Sequence, residues 1–451
     1  MAGGLEIEVV TDVDALAGVA GEWQALLERS PDATAFASPA WVLTWYRHFA
    51  GPGAVHAVLL RRDGELVGLA PFARSGAGAG RAGFHLLVPA GTEHGDYGDP
   101  LLGPDPGPAA AALTDHLCEL VRGGRAAVNL RRLREGGPLL TAVEERDDLV
   151  CRPMGQVAHA AVVRFTDLDD PEAYLDRLAR KHGIPRRMRR LREDHGPVSY
   201  RWIGGPDAGG IGDDEVGDRR DGDGEAGAGD TGRRDDDIDR ALDAMRDMLR
   251  RRWAPGTGPR LFATPRLEAF TRAVVRALAA SGLARVAVLR AGDRPVAVST
   301  VFHVGRRYLS DNAAFEPDLG KYGLGQAELC EMLRRSRVEG ATEVDLRAGD
   351  FPYKRKWANA EIVTRSVAVV APGRAGGAAL VARRLTMSAR ARRLRRRERR
   401  PVGPVELVRP PRVAAAEQAA WAERPARAAA PGRQSGDQSS VSRSGSDSRI
   451  S

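Results

Sequence analysis

A block of secondary-structure signals occurs twice in this chain in the same order, and that duplication narrows the possible folds more than any other feature. The first copy reads EWQALLERSPDATAFASPAWVLTWYRHF, then VHAVLLRRDGELVGLAPFAR. The second reads RRWAPGTGPRLFATPRLEAFTRAVVRAL, then ARVAVLRAGDRPVAVSTVFHV. In each, a tryptophan precedes Phe-Ala-x-Pro, at 36–39 and 262–265. Ser38 or Thr264 can cap a helix whose first turn holds the proline. Trp41, Trp45 and Phe49, and likewise Phe270, Val274 and Leu278, then recur at helical spacing. A strand, a two-residue turn (Asp63-Gly64; Gly292-Asp293) and a second strand predict a hairpin in both copies. Each copy closes on a helix and an apolar strand, 109–122 with AAVNLRRL and 323–339 with ATEVDLRA. Helices, antiparallel hairpin, helix, strand: this order predicts an α/β architecture of the α+β type with mixed sheets, present twice.

The 451 residues are enough for two or three folding units. The repeat puts a first lobe at 5–203 and a second at 238–372. Between them, 204–237 is mostly Gly, Asp and Arg with almost nothing apolar, and is expected to be a disordered acidic insertion. From 373 to 451 the chain turns Arg/Ala/Pro-rich and is expected to be a disordered basic tail. RARRLRRRERR at 390–400 concentrates the positive charge there, within a net charge of +8. Such a block is a solvated tail or a weak contact for anionic membrane or nucleic acid. Cys118, Cys151 and Cys330 are far apart and odd in number, which argues against a disulfide framework or a zinc site. There is no signal-peptide pattern at the start, and no stretch approaches the ~20 apolar residues of a spanning helix. A cytoplasmic protein with no metal is the expectation.

Four stretches could carry chemistry. In DLGKYGLGQAELCEMLRRS (318–336), Gly320, Gly323 and Gly325 lie between a strand and a helix, with Lys321 beside them. Glycines let backbone amides approach an anion at a helix start; a glycine-softened loop before a packing helix reads equally well. DLRAGDFPYKRKWA (345–358) follows a strand in which Val344 and Leu346 point inward and Asp345 and Arg347 outward. Phe351, Tyr353 and Trp357 could wall a pocket at the sheet edge, where ligands of open α/β sheets sit. KHGIPRRMRRLREDHG (181–196) makes a basic helix with Met188 and Leu191 as anchors; its arginines, Arg187 among them, suit either solvent or phosphate. GTEHGDYGDPLL (91–102) offers Asp96, Tyr97 and Asp99 to a polar substrate, or simply to a turn. No nucleophile-elbow, H-E-x-x-H or paired-cysteine pattern is present, which disfavours a hydrolase or metalloenzyme.

Taken in order, the FASPAW start, DGELVGLAPF, GDYGD, the Arg-rich helix, GDRPVA, the glycine loop and EVDLRAGDFPYKRKWA resemble the cellulose-biosynthesis CelD/BcsL-like acetyltransferases of the GNAT superfamily, which are similar to the FemAB peptidyltransferases. The resemblance covers about residues 5–370, leaving out the acidic insertion. It implies tandem GNAT-like lobes and acyl transfer from acetyl-CoA or another acyl-CoA to an amine or hydroxyl of a sugar or cell-envelope precursor, as in polysaccharide biosynthesis. It implies a pyrophosphate loop of form Q/R-x-x-G-x-G/A at Gly320, Lys321, Gly323 and Gly325, with Gln326 next to it. Gly320 departs from the Gln or Arg of that pattern. The aromatic-Lys pair of the FemAB branch matches Tyr353-Lys354. Asp345, Asp350 and Asp311 are candidates to take the proton, Lys354 to stabilise the oxyanion, and Tyr353 to protonate the thiolate. Asp96, Tyr97, Arg187 and Trp357 are candidates for substrate binding. Two alternatives stand beside this reading: a FemAB-like transferase using aminoacyl-tRNA, and a non-catalytic envelope-assembly protein whose acyl-CoA site has decayed.

Overall fold

The computed structural model describes residues 4–75, 85–123, 126–204, 214–215, 231–254, 257–349, 351–373 and 378. The tail at 390–400, most of the acidic insertion and Asp350 lie outside the described residues. Among the described residues fifteen strands run in chain order: β1 (Leu5–Val10), β2 (Val55–Arg62), β3 (Glu65–Ser75), β4 (His85–Pro89), β5 (Leu101–Leu102), β6 (Ala126–Arg134), β7 (Val150–Pro153) and β8 (Ala158–Arg164) come from the first part. The second part adds β9 (Val198–Ile203), β10 (Asp214–Glu215), β11 (Ala284–Ala291), β12 (Arg294–Val304), β13 (Arg307–Phe315), β14 (Glu343–Ala348) and β15 (Ala360–Val370).

The repeat is visible in the helix starts. Ser38 Oγ accepts the Trp41 amide (3.1 Å) at the head of helix Pro39–Phe49, and Thr264 Oγ1 accepts the Leu267 amide (3.2 Å) at the head of helix Pro265–Ala280. These two helices pack together, with Phe270 edge-on to Trp41 (5.5 Å between ring centres) and to Phe49 (5.0 Å). Apolar residues spaced to line one face are what lets each helix bury against its copy.

All strands form one sheet, in the order β1-β2-β3-β4-β6-β15-β8-β14-β13-β12-β11-β9-β10, with β5 and β7 as side pairings. Read from either outer edge the pattern is the same: antiparallel strands, then one parallel pair, β4 with β6 and β13 with β14. The halves then exchange a strand. β15, last in the chain, pairs with β6 of the first half, and β8 pairs with β14 of the second, while β8 and β15 pair with each other at the centre. β9, placed by the sequence at the end of the first lobe, hydrogen-bonds along β11. Its alternating Val198, Tyr200 and Trp202 are buried against helices Pro171–Lys181 and Ile184–His195, in the second half's core. The acidic insertion also ends earlier than the composition suggests: helix Thr231–Arg252 begins inside it, and Asp237 there is held by Arg201 (2.6 Å). Ion pairs supply what apolar content lacked. One face of the sheet carries a core common to both halves, with Phe36, Trp41, Phe270 and Phe302 in contact. Among the described residues no helix is long and apolar enough to cross a membrane, and no group of His, Cys, Asp and Glu is arranged to hold a metal.

Candidate active site

β13 and β14 run parallel for three residue pairs, Arg307–Leu309 with Glu343–Asp345, and then part. The parting is forced by a bulge. Opposite β8, Asp345 pairs with Val162 and Ala348 with Ala160, so two residues of β14 face one of β8. Arg347, second in the bulge, has φ +67°, rare for a side chain with a Cβ. Alternation predicts it outward together with Asp345, and Asp96 and Tyr97 of the first half cover that face, so both are drawn into the protein. Arg347 Nη1 donates to the Asp311 carbonyl (2.9 Å) across the parted strands and also to the Asp311 carboxylate. The first half repeats the device: β6 bulges opposite β15, and Arg132 there has φ +56°.

These two arginines meet at one carboxylate. Arg132 Nη1 donates to Asp96 Oδ1, and Arg347 Nε to Asp96 Oδ2 (2.5 Å). Next to Asp96, the Tyr97 hydroxyl donates to Asp345 Oδ2, while the Arg347 amide donates to Asp345 Oδ1 (2.7 Å). Thr300 Oγ1 (3.0 Å) and Asn312 Nδ2 (2.6 Å) donate to Asp311 Oδ2. Four of the predicted site residues, Asp96, Tyr97, Asp311 and Asp345, thus come together from both halves in one buried network. Burial pushes the Asp345 and Asp311 carboxyls up, against the pull of Tyr97 on the first and Arg347 on the second. Asp96 is the exception: burial would raise it, but Arg347 and Arg132 hold it below the usual range. Burial also raises the Tyr97 hydroxyl, with Asp345 adding to it, so Tyr97 stays the donor. Strand alternation places Arg347 outward, and no sequence signal marks Arg132. Nothing in a run such as LRRLR announces a bulge or the carboxylate that meets it.

The Tyr353-Lys354 pair divides. Both lie on helix Pro352–Trp357, where successive side chains point about 100° apart. Lys354 is buried and Tyr353 is 43% exposed. Lys354 Nζ donates to the carbonyls of Arg347 (3.0 Å) and Ala348 (3.3 Å) under the Phe351 ring. Burial, helped by Arg347, pulls its pKa down to about 8. Trp357 is fully buried, and its indole N–H donates to Gln326 Oε1 (2.8 Å). Trp357 therefore packs, and Gln326 is engaged in holding it.

The glycine loop forms a turn over Pro317–Tyr322 and then helix Leu324–Val338, which no side chain caps. Its first amides are left to a ligand or water. Gly323 has φ +67°, and a Cβ there would lie 2.5 Å from Arg187 Nη1, so Arg187 lies flat on the loop. Lys321 points away, 3.7 Å from the Asp194 carboxylate and over the Tyr322 ring. Glu328 lies one turn into the helix, where no sequence signal marks it as a site residue. It is buried beneath the loop, accepts from Ser299 Oγ, and burial pushes its carboxyl up to about 7.

Residues 218–355 match the family model described as an acetyltransferase (GNAT) domain. This segment is similar to a GNAT acetyltransferase domain. Its GNAT domain match spans the end of the insertion, the glycine loop, the bulged β14 and Lys354. No curated protein matches the chain. Among solved structures the chain is similar to the C-terminal domain of a putative lysylphosphatidylglycerol synthetase from Agrobacterium fabrum (14% identity, 81% of this chain and 94% of that one, TM-score 0.48). It is also similar to FemX (11% identity, 79% and 96%, TM-score 0.46) and to a tandem GNAT protein from the clavulanic acid biosynthesis pathway (14% identity, 82% and 100%, TM-score 0.34). At such identities and scores the assignment rests on the domain match.

Proposed function

We propose that this GNAT acyltransferase moves an acyl group, acetyl in the simplest case, from acyl-CoA to an amine or hydroxyl of a sugar or cell-envelope precursor. The observation that carries the reading is the conjunction of the GNAT domain match with Lys354, a buried amine beside the parted strands. Uncapped amides at Leu324 and Gly325, with Gly323 and Gly320 before them, would take the CoA pyrophosphate, and Arg187 lies against that loop. A neutral lysine has two N–H bonds and one lone pair. The carbonyls of Arg347 and Ala348 use both N–H bonds, which leaves the lone pair to take a proton.

Asp345, Asp311 and Asp96 are each committed to Tyr97, Arg347 or Arg132, so we assign them the frame and Lys354 the proton. The acceptor amine or hydroxyl attacks the thioester carbonyl and its proton passes to Lys354. The carbon–sulfur bond breaks, and the thiolate leaves with a proton from the hydroxyl of Tyr353, the neighbour of Lys354 on the same helix. Holding the two substrates together supplies most of the acceleration.

Calorimetry with acetyl-CoA and longer acyl-CoAs tests the reading, with Gly323→Asp and Lys321→Glu as controls. Binding that Gly323→Asp abolishes supports it; absence of binding to every acyl-CoA sinks it. The exposed Arg186, Arg189 and Arg190 of helix Ile184–His195 favour one alternative, an aminoacyl-tRNA donor, and binding of charged tRNA in place of acyl-CoA would promote it. Binding without turnover would promote the non-catalytic alternative that Gly320 suggests.

A further inference from the structure

Helix Thr231–Arg252 ends in three arginines that meet different surroundings. Arg250 is exposed to solvent. Arg251 makes a two-bond pair with buried Glu316, Nη2 to Oε1 at 2.6 Å and Nε to Oε2 at 3.2 Å. Arg252 is partly buried, and among the described residues no carboxylate, carbonyl or hydroxyl hydrogen-bonds to it. Its guanidinium lies instead over two rings, 4.1 Å from the centre of Phe315 and 5.3 Å from that of Trp253.

The stack is built at both ends by glycine. Gly258 (φ +76°) lies flat on the Trp253 indole, where a Cβ would approach Cγ to 2.4 Å. Gly325 lies under Phe315, where a Cβ would approach the ring to 3.2 Å. Phe315 is the last residue of β13 and Gly325 the second of helix Leu324–Val338, so Arg252 is held beside the uncapped helix start. Burial lowers the affinity of Arg252 for its own proton, and nearby Tyr353 opposes that.

A partly desolvated cation without a counter-ion among the described residues is costly, and two ring faces offset that cost only through the faces of the guanidinium. The in-plane edge remains, with its N–H fork unspent, and that edge matches carboxylate and phosphate oxygens two at a time. We propose that Arg252 is an anion-binding residue of the acyl-transfer site, receiving a phosphate or carboxylate group of a bound ligand on the edge of its guanidinium. The ligand is the phosphorylated donor or an acidic acceptor; the chemistry is the same. Placing Arg252 in an acyl-transfer site rests on the function proposed above, whereas the anion preference does not.

The test is calorimetry on the full chain with inorganic pyrophosphate, CoA, glucosamine 6-phosphate and glucosamine, comparing wild type with Arg252→Gln and Arg252→Lys. Circular dichroism checks that each variant is folded. The expected result is that Arg252→Gln weakens at least one anionic probe tenfold or more and leaves glucosamine unchanged. Arg252→Lys, which keeps the charge but loses the fork, should weaken the same probe several-fold. Loss confined to CoA assigns the anion to the donor, and loss confined to the sugar phosphate assigns it to the acceptor. Equal affinity of wild type and Arg252→Gln for every anion overturns the proposal, as does a wild type that binds none of them. CoA bound equally by both proteins, with no other anion affected, removes the Arg252 role and leaves acyl transfer standing. Pyrophosphate binding lost in Arg252→Gln, with no CoA binding by wild type, removes the acyl-CoA reading and leaves Arg252.

Discussion

Arg132 and Arg347 occupy the same place in two copies of one bulge, and they grip opposite oxygens of the Asp96 carboxylate. One acid thereby ties the two halves of the sheet together at the strands where the acyl-transfer residues are proposed to sit. The arrangement makes Arg347 the residue whose loss is felt most widely.

Arg347→Met leaves Asp96 and Asp311 buried without their strongest partner. Removing one member of a buried ionic network costs about 3–5 kcal/mol, since the remaining charges lose compensation. Urea unfolding should show that loss. Adding Asp96→Asn and Asp311→Asn to Arg347→Met should restore more than half of it, and a triple variant no more stable than the single would contradict the network account.

Tyr97 and Asp345 should behave as a coupled pair. Tyr97→Phe removes a donor from a buried carboxylate, a loss of about 1–3 kcal/mol. In a double-mutant cycle with Asp345→Asn the two effects should add to less than their sum. Strict additivity would show that the hydrogen bond contributes nothing.

Lys354, with its pKa pulled down to about 8 by burial, sets the expected pH profile. As a proton acceptor it is active when neutral, so kcat/KM should rise with pH and reach half its plateau near 8. Lys354→Ala should lower kcat roughly 10²–10⁴-fold and abolish that inflection. A rate that falls above pH 8 would instead make the protonated lysine the active form.

Acid should destabilise the fold through two histidines. Burial pulls His56 down to about 4, with Arg74 adding to it; His303, stacked on Tyr308, is pulled to about 4 by burial, with Arg285 adding to it. An unfolded histidine titrates near ~6.5. Above that pH both states are neutral and stability is intact. Between about 6.5 and 4 the unfolded chain takes up protons that the folded one refuses, so stability falls by up to about 3 kcal/mol per residue and then levels. Thermal midpoints from pH 7.5 to 4 should follow this course. His303→Phe should flatten part of it, and an unchanged slope would exclude His303 as a contributor.

Because β8 and β15 change halves, neither half completes its sheet alone. Fluorescence and circular dichroism should report a single coincident urea transition. Two separated transitions would mean that the exchanged strands couple the halves only weakly.

The repeat was legible because its signals are local. A Ser or Thr cap, a proline in the first turn, a two-residue turn and a helical stripe each act within a few residues, and Ser38, Thr264, Asp63-Gly64 and Gly292-Asp293 do in the structure what their types predict. Asp96 and Tyr97 were legible as a polar loop and Asp345 as a polar strand residue, while Asp311 and Lys354 stood out only through the family resemblance; none of this showed a single constellation. What tertiary structure decided is long-range. Tyr97 meets Asp345 across 248 positions, and strand exchange rather than order along the chain chooses which half a strand completes. Asp96 and Tyr97 of the first half cover the face that Asp345 and Arg347 share, and no local signal announces that cover. Sequence alone determined which segments become helix, hairpin and loop; only the closed sheet decided which charges are buried against one another, since that depends on pairing partners that local propensity does not encode.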